Sequence, residues 1–215
     1  MATRVSDSAR RMRKQPRQAR SRDTVAVIIE AGAQVLARKG WSGFNTNDVA
    51  AAAGVSIGSI YQYFPNKLAL VEAIKFSHFD EVLSIFDTSV EENGGLENQV
   101  RKLINGMIGC HHHPGLHRVL MNEVPRPDNR SPNVQHFDLA YKERFRDFVA
   151  MTTGLTDVSS VERIASVVAS AVEGMVHEAA QTNGDSQQRR FRDEIVQFIV
   201  AYLERKNSSV PATLV

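Results

Sequence analysis

The run Asn45–Lys67, NTNDVAAAAGVSIGSIYQYFPNK, decides how this chain is read. It divides into two short helical stretches around Gly54-Val55. Asn45 stands three residues before Asp48, so its side chain can cap a first helix over Thr46–Ala53 while the acid takes the first turn, which the helix dipole favours. That helix is built almost wholly of small residues. Val49 and Ala50 face inward, and Ala50–Ala53 let a neighbouring helix approach closely. A second helix spans about 56–64, Pro65 ends it, and Asn66 begins the next. Ile60 and Phe64, four apart, share an inward face. Two short helices around a tight glycine turn make a helix-turn-helix. In that motif the first helix braces and the second enters the DNA major groove with its N-terminal residues at base edges. Ser56, Gly58 and Ser59 place short or absent side chains at that end, where backbone must approach bases and phosphates. Tyr61 and Tyr63 are predicted to lie off the inward face, with their hydroxyls at phosphates. Lys67 sits at a helix N-terminus, where a cation gains nothing from the dipole, so an anionic partner accounts for it.

Upstream, residues 1–20 read as a flexible basic arm carrying Arg10, Arg11, Arg13, Lys14, Arg17 and Arg20. An amphipathic helix follows from about Ser21, with Val25, Ile28, Ile29, Ala33, Leu36 and Ala37 at helical spacing. Arg38 and Lys39 suit its C-terminal end, and Gly40 suits its cap. Downstream, helical patterns are predicted over about 67–92, 96–111, 116–124, from 133 to Gly154, 161–182 and 186–206, with a loop over 125–132 and a disordered tail over 207–215. No stretch reads as a strand. The expected architecture is all-α with about nine helices: the arm, a three-helix helix-turn-helix domain over 21–67, and a larger helical domain over 68–206.

Charge follows the same division. Residues 1–67 hold 11 Lys and Arg against 4 Asp and Glu, while the rest of the chain is net acidic. A basic front and an acidic rear point to a polyanion at the front only. The single cysteine, Cys110, allows no intrachain disulfide. No apolar run reaches the ~20 residues of a spanning helix, and no secretory signal follows the basic N-terminus. A cytoplasmic protein without membrane association is expected.

Gly40-Trp41, Asp48-Val49-Ala50, Ala53-Gly54-Val55-Ser56 and Gly58-Ser59-Ile60-Tyr61-Gln62-Tyr63-Phe64 with Lys67 resemble, in order and without gaps, the TetR family of bacterial regulators. The resemblance covers about residues 22–70. It implies a DNA-contacting set of Asn45, Thr46, Ser56, Gly58, Ser59, Tyr61, Tyr63 and Lys67. It also implies that the larger domain binds a small-molecule effector and dimerises. The chain departs from the family where Phe44 and Asn45 stand in place of the usual Thr-Thr or Thr-Ser pair.

The last two helices, about 161–182 and 186–206, suit a homodimer. Ala165, Ala169, Ala171 and Gly174 allow close packing. Ile164, Val168, Val172, Met175 and Val176, with Phe191, Ile195, Phe198 and Tyr202, supply apolar area either for a four-helix interface or for the subunit's own core. A dimer also matches the two half-sites of a palindromic operator. For an effector pocket the candidates are Met107, Cys110, His111, Met121, Phe137, Tyr141 and His177, which combine apolar and amphipathic groups near predicted helix faces. Cys110-His111-His112-His113 with His117 invites a metal site, but adjacent helical residues diverge and Pro114 interrupts the spacing, so no metal or cofactor is expected. His177-Glu178 begins a zinc-protease motif that fails at Gln181. No catalytic site is expected. The reading is a sequence-specific, ligand-responsive DNA-binding regulator, a repressor that binds double-stranded operator DNA as a dimer. The alternatives are an activator of the same kind, a helical adaptor whose basic arm binds acidic surfaces, and a small helical enzyme using the histidine cluster.

Overall fold

A computed structural model describes residues 19–90, 94–111, 113, 115–125, 132–182 and 184–207. Most of the basic arm, the tail beyond 207, His112 and residues 126–131 of the expected loop lie outside the described residues. Among the described residues every regular element is helical, as expected: α1 (Ala19–Gly43), α2 (Thr46–Ala53), α3 (Ile57–Tyr63), α4 (Lys67–Ser89), α5 (Leu96–Gly109), α6 (Leu116–Arg118) continuing into a π-helical turn (Val119–Glu123), α7 (Pro132–Thr153), α8 (Val158–Gln181) and α9 (Asp185–Asn207). None of the described helices is long and apolar enough to cross a membrane.

The chain forms two compact units. The first contains the described residues of 19–80 and 113–125; the second contains those of 81–111 and 132–207. The first unit is thus larger than the expected 21–67. It takes in the start of α4 and recruits α6, and the division falls within α4. The reason is burial. The helix-turn-helix alone leaves apolar surface that Leu70, Val71 and Ile74 of α4 cover, together with Leu116, Val119, Leu120 and Val124 of the later segment.

In the first unit Ile28, Leu36, Phe44, Ile60, Phe64 and Leu70 are wholly or almost wholly buried. Gly54 ends α2 in the left-handed conformation (φ +65°). Its N–H donates to the Ala51 carbonyl, and the N–H of Val55 donates to that of Ala50 at 3.1 Å. This double bond is a Schellman cap, which reverses the chain tightly enough to place α3 against α2.

In the second unit α7 packs on α8 and α5 on α9. Phe86, Phe145 and Phe148 meet edge to face at its centre, with Phe86 and Phe145 ring centroids 4.9 Å apart. α8 starts at Val158, three residues before the expected start. Asp157 is the reason: its carboxylate accepts from the Ser160 N–H at 2.8 Å and from the Ser159 hydroxyl. The choice left open for the apolar residues of α8 falls to the subunit's own core for most of them. Ile164, Ala165, Val168, Val172 and Val176 are buried in it, as is Ile195 of α9. Their i, i+3/i+4 spacing makes one stripe, and that stripe faces α7 and α5. Val167 of α8 and Phe198 of α9 remain more than half exposed.

Candidate nucleic-acid interface

α2 and α3 are held by their ends as much as by their cores. Asn45 caps α2, its side-chain carbonyl accepting from the Asp48 N–H at 3.0 Å. The Asp48 carboxylate takes a hydrogen bond from the Asn45 amide and pairs with Lys39 of α1 at 2.5 Å. That bond from Lys39 is the main reason the Asp48 carboxyl is held below its ordinary range. The Phe44-Asn45 corner therefore keeps its capping function: Phe44 is buried and Asn45 is exposed beside it.

Ser56 caps α3. Its hydroxyl accepts from the Ser59 N–H at 3.0 Å and shares a hydrogen bond with the Ser59 hydroxyl at 2.8 Å. Gly58 stands in open surroundings; a Cβ there would meet only the Ser56 hydroxyl oxygen, at 3.6 Å. Tyr61 is 42% exposed, and its hydroxyl shares a hydrogen bond with Thr46 across the two helices at 3.1 Å. Thr46 itself is buried, so it meets the surface through Tyr61.

Tyr63 departs from expectation. It is 9% exposed and belongs to the unit's core beside Phe64, their ring centroids 6.5 Å apart. Ile60, Tyr63 and Phe64 occupy positions i, i+3 and i+4, which a helix brings to one face. The reading of an Ile60–Phe64 pair alone left out the middle member. The ammonium of Lys67 rests over the Trp41 ring, 4.1 Å from its centroid. A cation–π contact of this exposed kind contributes about 0.5–1 kcal/mol and fixes a side chain that would otherwise sweep freely.

Two further residues share the exposed surface of α3. Ile57 is 37% exposed at the first position of α3, and Gln62 is exposed on the same helix. A side chain that reads a thymine methyl or an adenine edge is of these types. The signal was available: an apolar residue at the N-terminal end of the second helix, off the 60/63/64 face.

Of the expected pocket residues, six lie in the second unit and Met121 lies in the π-turn of the first. Phe137 stacks on Tyr141, centroids 5.5 Å apart, and Tyr141 meets Phe145 and Phe86 edge to face. His111 and His177 rings stand 4.9 Å apart, and His111 Nδ1 bonds the Met107 carbonyl. Burial pushes the Cys110 thiol up to about 12 and holds the His177 imidazole below its ordinary value. Burial also pushes the Tyr141 hydroxyl up, with the charge of Glu173 adding to it. In each case burial disfavours the charged form. In the first unit, His113 pairs with Glu30 at 2.9 Å and His117 with His78 at 3.3 Å.

A capped pair of short helices with an open, small-residue N-terminus on the second defines a helix-turn-helix DNA-binding protein. The comparisons say which kind. Residues 28–74 match the family model "Bacterial regulatory proteins, tetR family", and residues 96–203 match "Tetracyclin repressor-like, C-terminal domain". The chain belongs to the TetR family and is a DNA-binding transcriptional regulator.

Solved structures agree in fold. A TetR-family transcriptional regulator from Rhodococcus sp., described as putative in its own name, is 19% identical over 84% of this chain and 99% of its own, with a TM-score of 0.66. A transcriptional regulator from Pseudomonas aeruginosa PAO1, likewise described as putative in its own name, is 20% identical over 90% and 94%, with a TM-score of 0.64. A TetR-family regulator from Mesorhizobium loti, also described as putative in its own name, is 21% identical over 89% and 98%, with a TM-score of 0.62. A comparison with curated proteins finds none that matches.

Proposed function

We propose that the protein is a ligand-responsive repressor that binds a palindromic operator as a homodimer. The observation that carries this reading is the outer face of α3, where Ile57, Gly58, Tyr61 and Gln62 are exposed over a filled core. Ser56, Gly58 and Ser59 meet base edges, Ile57 and Gln62 join them, and Asn45 and Thr46 support the approach from α2. Tyr61 and Lys67 hold phosphates. Tyr63 stays in the set through its hydroxyl alone, since its ring is core.

Two copies pair through α8 and α9, with Val167, Gly174 and Phe198 on the shared face. Val167 and Phe198 are exposed apolar groups, and nothing lies within 4 Å of a Cβ built on Gly174. Two-fold pairing then presents two α3 helices about 34–36 Å apart, one helical turn of DNA. An apolar, aromatic-bearing effector binds the second unit at Met107, Cys110, His111, Phe137, Tyr141 and His177; Met121 belongs to the first unit and leaves the set. Its binding shifts α4, the helix that both units share, and a coupling of about 1–3 kcal/mol changes operator affinity 5- to 150-fold. Such a regulator of bacterial DNA works in the cytoplasm.

The test is a mobility shift on DNA upstream of the protein's own gene. Binding is expected at low salt, with an affinity that falls steeply as salt rises. No shift at low salt refutes the reading. A shift that random DNA competes away equally well refutes the operator part alone.

A further inference from the structure

Glu123 lies 82 residues beyond Trp41 in sequence, yet its carboxylate sits against the corner between α1 and α2. Glu123 Oε2 accepts from the Trp41 N–H at 3.2 Å, and Oε1 accepts from Arg118 at 2.5 Å. The site is shaped for it. Gly40 adopts φ +65°, and a Cβ there would come within 2.8 Å of Oε2. The positive φ favours glycine here, and a side chain at this position would crowd the carboxylate. The π-helical turn Val119–Glu123, closed by the Val124 N–H on the Val119 carbonyl, ends on this residue. Trp41 in turn carries the Lys67 ammonium on its ring, and its carbonyl accepts from the N–H of buried Phe44. The line of contact runs from the carboxylate to the Trp41 peptide, then from the Trp41 ring to the ammonium.

We propose that Glu123 is a positioning residue for DNA binding, which anchors Trp41 through its backbone N–H and thereby holds Lys67 where a phosphate meets it. This rests on the reading of Lys67 as a phosphate contact. The carboxylate never touches DNA. It acts on the peptide that follows Gly40, where the backbone leaves helical geometry (φ +65°, ψ 177°). Arg118 pairs with the other oxygen and orients the group.

The full-length protein is titrated with a labelled random-sequence duplex of about 30 base pairs, between about 50 and 200 mM salt. Lys67→Ala is expected to lower the slope of log affinity against log salt by about one. Glu123→Ala is expected to do the same and to weaken binding about two- to fivefold at low salt. The double variant should be no weaker than Lys67→Ala. Glu123→Gln should restore the wild-type slope, because its amide oxygen still accepts from the Trp41 N–H. Glu123→Asp keeps the charge but falls one methylene short, so it should behave like Glu123→Ala. Should Glu123→Ala not fold by circular dichroism, the Asp and Gln variants carry the test. Emission from Trp41, the single tryptophan, should shift in the Ala and Asp variants and not in the Gln variant. If Lys67→Ala loses one unit of slope while the Ala and Asp variants lose none, the anchoring role of Glu123 is overturned and the Lys67 reading stands. Additive losses in the double variant overturn it too. If Lys67→Ala itself leaves the slope unchanged, the phosphate reading fails and takes the proposal with it.

Discussion

Two helix starts, at Asn45 in the first unit and Asp157 in the second, are built alike and embedded differently. Each side chain accepts the N–H three residues on, at 3.0 Å and 2.8 Å. Asp157 keeps to its own helix, with Ser159 and Ser160 as partners. Asn45 belongs to a chain of polar contacts that crosses elements: Lys39 of α1 to Asp48 of α2, Thr46 of α2 to Tyr61 of α3. The first unit sets the pose of a small exposed face with such ties. In the second, Met151, Val158, Val167 and Phe198 are each more than half exposed. Fixed polar geometry suits a surface that must match a rigid duplex, and apolar area suits one that meets a second protein surface.

The largest effects should ignore this contrast. Phe64→Ala and Phe145→Ala each empty a fully buried site, one per unit, and each should cost about 3–5 kcal/mol in chemical denaturation. A loss below about 1 kcal/mol at either would mean that its core is loosely packed. Phe198→Glu comes next. It should weaken dimerisation by about 2 kcal/mol in sedimentation experiments while the fold is retained. An unchanged dimer would move the interface off α9.

Gly58→Ala sharpens the contrast directly. It should raise stability by about 0.5 kcal/mol, since alanine suits a helix better, yet weaken operator binding about tenfold by filling the approach to the bases. Tighter binding would place DNA elsewhere.

Asn45→Ala and Asp157→Ala should each cost about 1 kcal/mol of stability, the ordinary value of a cap. Only the first should also lower DNA affinity. Equal effects on DNA would erase the distinction between the two starts.

The smallest effect concerns pH. Burial holds His177 below 6.5, so the unfolded chain takes up the proton more readily than the folded one. Stability from this group is complete above 6.5 and is lost as pH falls below it. His177→Gln should flatten the thermal-stability profile on that acid side, and an unchanged profile would assign the slope to other groups.

Much of the reading head was legible because its determinants are local. Asn45 and Asp48 are three apart and Gly54 ends a run of alanines, so spacing implies the cap of α2 and the turn after it; the Ser56 cap of α3 came only with the structure. Tyr63 obeys the same periodicity as Ile60, so its inward placement is legible in the sequence as well. The pocket residues were harder. Apolar and amphipathic side chains near helix faces include core and lining alike, and spacing cannot separate them. The residues of α8 show the same limit: Ile164 and Val167 are both apolar on one helix, and one is buried while the other is exposed.

The sequence by itself determined the all-α class, the two short helices with their caps, the basic front and the family, because each depends on residues a few positions apart or on composition. Tertiary structure alone decided that 113–125 completes the first unit and that Glu123 reaches Trp41. Those outcomes depend on which apolar faces meet when the chain closes on itself. A contact across 82 residues leaves no periodic trace, since the hydrophobic burial that enforces it is non-directional and any face of the right size satisfies it.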